Sequence, residues 1–233
     1  MPDLSGFPIT RRWPPRRPDA IQLYTLNTPN GFKASIMLEE CGLDYEAHRI
    51  SIGDPEDQMT PEFLSLNPNN KIPAMIDPDG PDGRPMGLWE SGAMLLYLGD
   101  KTGRFLPPTG AARWQTIQWL MFQMGGVGPM FGQIGYFHRY KGSEIEDKRP
   151  RDRYVAEARR LLGVIDRQLD GRVWITGDYS VADIAIAPWV RTLTVNYEAQ
   201  DLVQLAGFTN VARWMDRFLD RPAVQRGLTV GVD

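Results

Sequence analysis

Three short stretches of the chain carry side chains whose types and spacing could do chemistry, and all three sit at turns. The first is Thr28-Pro29-Asn30-Gly31, ahead of a run with helical periodicity. A helix that starts there aims unpaired backbone N–H groups, and the positive end of its dipole, at the turn. Such a place favours a thiolate, more so with a hydroxyl or amide donor alongside. Thr28 and Asn30 are donors of the right reach, and the turn itself has no cysteine. Taken alone, the same residues also read as a plain N-cap, because Thr and Asn are preferred there and Pro suits the first turn. The second stretch is Asn67-Pro68-Asn69-Asn70-Lys71-Ile72-Pro73-Ala74, with a proline straight before a strand. If the Ile72–Pro73 bond is cis, it turns the Ile72 backbone N–H and C=O outward to pair with an extended peptide. The third is Leu88-Trp89-Glu90-Ser91-Gly92-Ala93, in which Glu90-Ser91 opens a helix. The Ser91 hydroxyl and backbone N–H make a carboxylate site, and Glu90 can receive an ammonium group. Together they match the α-amino acid end of a γ-glutamyl group. Ser91 is also a good N-cap, so it is the ordered set of three that carries the argument.

The elements that must position these turns follow from hydrophobic periodicity. Residues 20–26 alternate as a strand, and residues 32–41 read as an amphipathic helix with Ile36 and Met37 on one face and Glu39-Glu40 on the other. Gly42 suits its C-cap. Residues 45–52 form a second strand and residues 61–66 a short helix. Residues 74–76 and 85–88 form short strands around the turn Asp77-Pro78-Asp79-Gly80, and residues 91–101 a helix. This β-α-β-α-β-β-α order is that of a thioredoxin-like unit. Residues 104–112, with Pro107-Pro108 and Gly110, read as a linker. Beyond them the chain reads as helices over 113–125, 129–140, 151–169, 181–195 and 211–219. The predicted architecture is therefore α+β in two domains: an arm over 1–19, a thioredoxin-like domain over 20–103, the linker, and an all-helical domain over 113–233. The prolines of the arm favour an extended path, and Phe7 and Trp13 are the anchors by which it docks.

Composition narrows the function classes. The chain has 233 residues, 42% hydrophobic and 24% charged, with a net charge of -3. That balance argues against nucleic-acid binding through a broad basic surface. The arm has no apolar core of the kind a secretory peptide needs. Residues 114–137 carry no charge and are long enough to span a bilayer, but four glutamines, several glycines and Pro129 make a domain or subunit interface the better assignment. Cys41, the lone cysteine, cannot form an internal disulfide, fits a reducing compartment, and sits at the far end of the first helix, where buried packing is expected. His48 and His138 have no spacing that suggests a metal cage or a nucleophile–base pair, so no metal is expected. Gly125-Gly126-Val127-Gly128-Pro129 lacks the Gly-Lys-Ser/Thr of a phosphate loop and reads as a helix break that permits close packing. Ser180 and Asp183 have capping-box spacing, with Asp in place of the usual Glu.

Thr-Pro-Asn-Gly, Asn-Lys-Ile-Pro-Ala and Glu-Ser-Gly-Ala in this order, followed by helices, resemble a glutathione transferase. More narrowly the chain resembles the bacterial nu class, which is related to the yeast nitrogen-regulator prion protein. Further support comes from residues 35–40, 61–64, 118–133 and 177–184. The resemblance implies a glutathione site carried by Thr28, Asn30, Lys71, Ile72, Glu90 and Ser91, with Pro73 as the cis-proline. It adds Gln58 for the glycyl end, Arg153 as a residue that reaches a ligand within a subunit or across a dimer, and Gln123. Asn27 and Asn70 depart from the family pattern, where proline and glycine are frequent. The activity implied is glutathione-dependent thiol–disulfide exchange, with transferase or organic hydroperoxide peroxidase side activity, in a cytoplasmic homodimer. Conjugation of glutathione to electrophiles, or a non-enzymatic glutathione-binding regulator, are the alternatives.

Overall fold

A computed structural model describes residues 2–53 and 55–231. They divide into two compact units: one runs to Thr102 and includes the chain from Pro222 onward, and the other is Gly103–Arg221. The first unit contains α1 (Ile9–Arg12), β1 (Ile21–Thr25), α2 (Pro29–Cys41), β2 (Tyr45–Arg49), α3 (Pro55–Gln58), α4 (Pro61–Leu66), β3 (Ala74–Asp77), β4 (Met86–Trp89) and α5 (Ser91–Thr102). The second holds α6 (Gly110–Phe122), α7 (Gly128–Ile134), α8 (Arg149–Gln168), α9 (Val181–Val195) and α10 (Thr209–Leu219). The last helix, α11 (Pro222–Gly227), returns to the first unit.

The four strands form one mixed sheet in the order β2-β1-β3-β4, with β1–β2 parallel and the other two pairs antiparallel. Every residue of the central strands β1 and β3 is buried, including Gln22, Thr25 and Asp77, so the alternation of residues 20–26 does not mark a solvent-facing side. Register fixes the functional end of the sheet: Tyr24 pairs with Ala74, and Ala74 pairs with Trp89. The Thr28 turn, the Ile72–Pro73 bond and Glu90 each lie within a few residues of that row. They are therefore gathered at one end of the sheet.

The first helix departs from its amphipathic expectation. Along α2 everything from Gly31 to Leu38 is buried, Lys33 and Ser35 included, and so is Glu40. Two helices cover the flanks that periodicity leaves open: α5, which Lys33 reaches, and α11, about 190 residues downstream in sequence. Ser35 Oγ donates to the Gly227 carbonyl at 2.7 Å, and Arg226 pairs with Glu39 at 2.6 Å. A Cβ on Gly227 would stand 2.7 Å from Ile36 Cα. Gly227→Ala must therefore push two backbones apart, and we expect a loss of about 1–3 kcal/mol in denaturant unfolding. A midpoint equal to wild type would show that this contact is loose.

The N-terminal arm is docked, but it is not simply extended: α1 makes one turn ahead of Pro14-Pro15. Leu4 and Ile9 enter the cluster of Tyr24, Ile50, Phe63 and Leu66, with Phe7 and Trp13 packed against it. The Glu46 carboxylate accepts from the backbone N–H groups of Arg16 and Arg17, and from Arg16 Nε, each at 2.9 Å.

In the second unit the glycine-rich stretch is not a helix break. The backbone continues from α6 through a π-turn, Gln123–Val127, directly into α7. Glycine there answers to packing, since a Cβ on Gly128 would lie 2.6 Å from Gln123 Nε2. Ser180 and Asp183 form the expected capping box at the head of α9. No helix among the described residues is long and apolar enough to cross a membrane.

Candidate active site

Thr28 is the N-cap of α2, and the geometry merges its two possible roles. Its Oγ1 accepts from the Gly31 N–H at 3.2 Å. That bond uses an oxygen lone pair and leaves the hydroxyl hydrogen to be donated. The capping role and a donor role toward a sulfur are compatible. Asn30, half-buried, stands two residues further along the same first turn.

The second stretch is shaped by Asn67, which is buried. Its Oδ1 accepts from Asn69 N–H at 2.9 Å, and its Nδ2 donates to the Lys71 carbonyl. Asn70 takes a left-handed φ of 57°, as the frequent glycine would, and Asn tolerates that conformation better than most residues. The Ile72–Pro73 bond is cis. Ile72 lies just outside the β1–β3 ladder, and the Lys71 side chain is exposed.

At the third stretch Glu90 is exposed with φ 70°, a left-handed backbone in a residue that is not glycine. Such conformations are held only where the surroundings over-determine them, often at ligand clamps. Ser91 follows, buried, as the first residue of α5. Behind it lies a group that sequence reasoning missed: Lys33, 0% exposed, donates from Nζ to Ser91 Oγ at 3.2 Å. Burial lowers the Lys33 pKa to about 7, while the charge of Glu90 acts to raise it. The available signal was a lone lysine followed by Ile36 and Met37 on the core-facing side of the helix.

The other expected residues are more scattered. Gln58, at the end of α3, donates from Nε2 to the Ile52 carbonyl at 2.8 Å. Arg153 and Gln123 belong to the second unit. Arg153 is exposed on α8 and lines a cavity of about 660 Å³ with Met130, Tyr154 and Arg160. Gln123 is buried in the π-turn, and its Oε1 has no hydrogen-bond partner among the described residues. Cys41 is half-buried against Thr102 Oγ1 at 3.5 Å, less enclosed than expected. It lies at the opposite end of α2 from Thr28, about 20 Å away at 1.5 Å per residue. Among the described residues no cluster of His, Cys, Asp or Glu could hold a metal ion. A cavity of about 870 Å³ runs along β2 and the C-terminal residues, and none of the expected ligands lines it.

Family models for the glutathione S-transferase N-terminal and C-terminal domains match residues 28–101 and 148–217. The disulfide-bond oxidoreductase YfcG of Escherichia coli is 42% identical over 210 residues, covering 89% of this chain and 94% of that protein. The chain belongs to the glutathione S-transferase family. Two solved structures of this family agree closely with it. A glutathione transferase from Pseudomonas putida, with one glutathione disulfide bound per subunit, is 61% identical with a TM-score of 0.95, over 97% of this chain and 98% of that one. One from Burkholderia graminis, with two glutathione molecules bound per subunit, is 62% identical with a TM-score of 0.96, over 98% and 95% of the two chains. The thioredoxin-like sheet and the helical unit are thus a transferase fold.

Proposed function

We propose that this transferase is a glutathione-dependent thiol–disulfide oxidoreductase, with glutathione conjugation and organic hydroperoxide reduction as side activities. The carrying observation is the Thr28 turn: a helix N-terminus with no cysteine, whose capping hydroxyl still has its hydrogen to give. The nucleophilic sulfur then comes from bound glutathione. Its γ-glutamyl end meets Glu90 and Ser91, its backbone lies along Ile72 beside the cis-proline Pro73, and its glycyl carboxylate meets Lys71 and Gln58. Thr28 and Asn30 hold the sulfur as thiolate.

The exchange balances with two glutathiones. The first thiolate attacks one sulfur of the substrate disulfide, forms a mixed disulfide and expels the other sulfur as a thiolate, which takes a proton from solvent. A second glutathione thiolate attacks the glutathione sulfur of the mixed disulfide. It releases the remaining substrate thiol and leaves glutathione disulfide. Arg153, exposed on α8, is assigned as a ligand residue of the second unit, and Gln123, buried in the π-turn, is given no ligand contact. The names and bound ligands of the relatives support this chemistry: one is called a disulfide-bond oxidoreductase, one structure holds glutathione disulfide and another two glutathiones. A homodimer is part of the proposal, supported by Trp114 and Met121, which α6 leaves exposed.

The test compares kcat/KM for a small disulfide and for an aryl halide, both with glutathione. Disulfide reduction is expected to be the faster by at least tenfold. Faster turnover of the aryl halide would reassign the chain as a conjugating transferase.

A further inference from the structure

Lys33 is an unusual residue to bury at this place. Two helix N-termini lie close to it, since it stands in the second turn of α2 and its Nζ reaches the first residue of α5. Both ends carry positive partial charge, so an ammonium between them is disfavoured unless an anion joins it. Glu90 supplies negative charge, but from an exposed position. The arrangement suits an incoming carboxylate.

Resting on the glutathione reading above, we propose that Lys33 is a positioning residue of the γ-glutamyl pocket. Its buried ammonium, donating to Ser91 Oγ, orients that hydroxyl toward the ligand and makes the pocket demand a carboxylate at the glutamyl α-position. A hydroxyl that accepts from an ammonium is a stronger donor in turn, because bonds in such a chain polarise one another. Lys33 acts through Ser91 and the field, not by touching the reacting sulfur.

The linkage has a definite sign. The pKa of Lys33 is lowered to about 7 by burial in the free protein, and a bound carboxylate favours the ammonium. Below pH 7 the cation is already present; above it, binding must take up a proton, so affinity falls by up to about tenfold per pH unit. Of the other titratable groups on elements packed against α2, Tyr97 of α5 donates to Asp77 at 2.7 Å and Tyr24 stays neutral because burial raises its pKa. Arg226 of α11 pairs with Glu39, and Tyr24 of β1 stacks on His48. Asp100 and Lys101 lie at the other end of α5.

The experiment is calorimetric titration of wild type and Lys33→Met with glutathione, and with an analogue whose glutamyl α-carboxylate is a carboxamide, from pH 5.5 to 7.5, below the range in which the α-amino group of either ligand loses its proton. Met fills a similar volume without charge, and replacing a buried ion with an apolar residue is often tolerated. At pH 6, Lys33→Met is expected to bind glutathione about 10–100-fold more weakly and the carboxamide within twofold of wild type. The wild-type preference for glutathione over the carboxamide should shrink as pH rises, with the thiol's own ionisation cancelling between the two ligands. In Lys33→Met the preference should be flat. If Lys33→Met does not fold, the wild-type profiles alone decide. Equal weakening of both ligands, unchanged glutathione affinity, or parallel wild-type profiles would each overturn the role of Lys33 and leave the glutathione site standing. Wild type that binds neither ligand would overturn the glutathione site itself.

Discussion

Thr28→Ala and Asn30→Ala are each expected to lower kcat/KM for glutathione-dependent disulfide reduction by about 10–100-fold. A hydrogen bond to a charged group contributes about 1.5–3 kcal/mol, and about 1.4 kcal/mol is a factor of ten. Removing a donor destabilises the thiolate and leaves the thiol unaffected. The pKa of bound glutathione should therefore rise by about 1–2 units in either variant, read from thiolate absorbance against pH. Two controls separate chemistry from folding. Thr28→Ala also loses the bond from Gly31 N–H, and a lost N-cap costs about 1 kcal/mol of stability. Thr28→Ser keeps both acceptor and donor and should restore both the rate and the thiol pKa. Cys41→Ala, about 20 Å from Thr28, should leave the rate unchanged. Full activity in both Thr28→Ala and Asn30→Ala would remove the thiolate from this turn. A large loss in Cys41→Ala would return the chemistry to the protein's own sulfur.

Much of this arrangement is legible in the chain because local signals and the fold agree. β1 and β3 are buried on both faces, and α2 starts at Thr28 with Pro29 in its first turn. The β-α-β-α-β-β-α order follows, and with it the gathering of the three turns at one end of the sheet. What periodicity cannot show is what covers a surface from far along the chain. Ser35 and Glu39 on α2 are covered by α11, and nothing near them in sequence announces residues 222–227. The same limit hides Lys33. A lysine on a helix is ordinarily solvated, and only the juxtaposition with Ser91, 58 residues away, makes it part of a site. The π-turn at Gln123–Val127 shows a different failure. Gly125, Gly126 and Pro129 carry break signals, but the helix runs on, because the wider turn just before Pro129, with Gly128 N–H bonded to the Gln123 carbonyl, changes the hydrogen-bond ladder where a proline would otherwise interrupt it. Gln123, Val127 and Gly128 all keep right-handed helical dihedrals.

The largest expected effect on stability lies in the helical unit, at Asp183. This carboxylate is 0% exposed and accepts from Ile175 N–H at 3.1 Å, Trp214 Nε1–H at 2.8 Å and Ser180 N–H at 3.0 Å. It thus ties the segment before α9, the head of α9 and α10 to one point. Asp183→Ala leaves three buried donors without an acceptor, and unmade buried bonds cost about 1–3 kcal/mol each. Allowing for partial relaxation, a loss of about 3–5 kcal/mol in denaturant unfolding is expected, enough to unfold a marginal domain. Asp183→Asn should lose less, because its carbonyl oxygen can still accept from Trp214 and Ile175, while its amide must face the Ser180 N–H. The carboxylate also carries a pH dependence. Burial raises its pKa to about 6, against the pull of its hydrogen bonds, whereas an unfolded Asp titrates near 3.9. Between those values the folded state holds the extra proton, so this stabilising contribution is complete below about pH 4 and lost as pH rises through 6. Wild type should therefore gain stability from pH 8 to pH 5 relative to Asp183→Ala, whose own profile lacks that component. A cost below about 1 kcal/mol for Asp183→Ala would mean that the three donors find other partners and that packing of Trp214 and Phe218 holds α10 without the carboxylate.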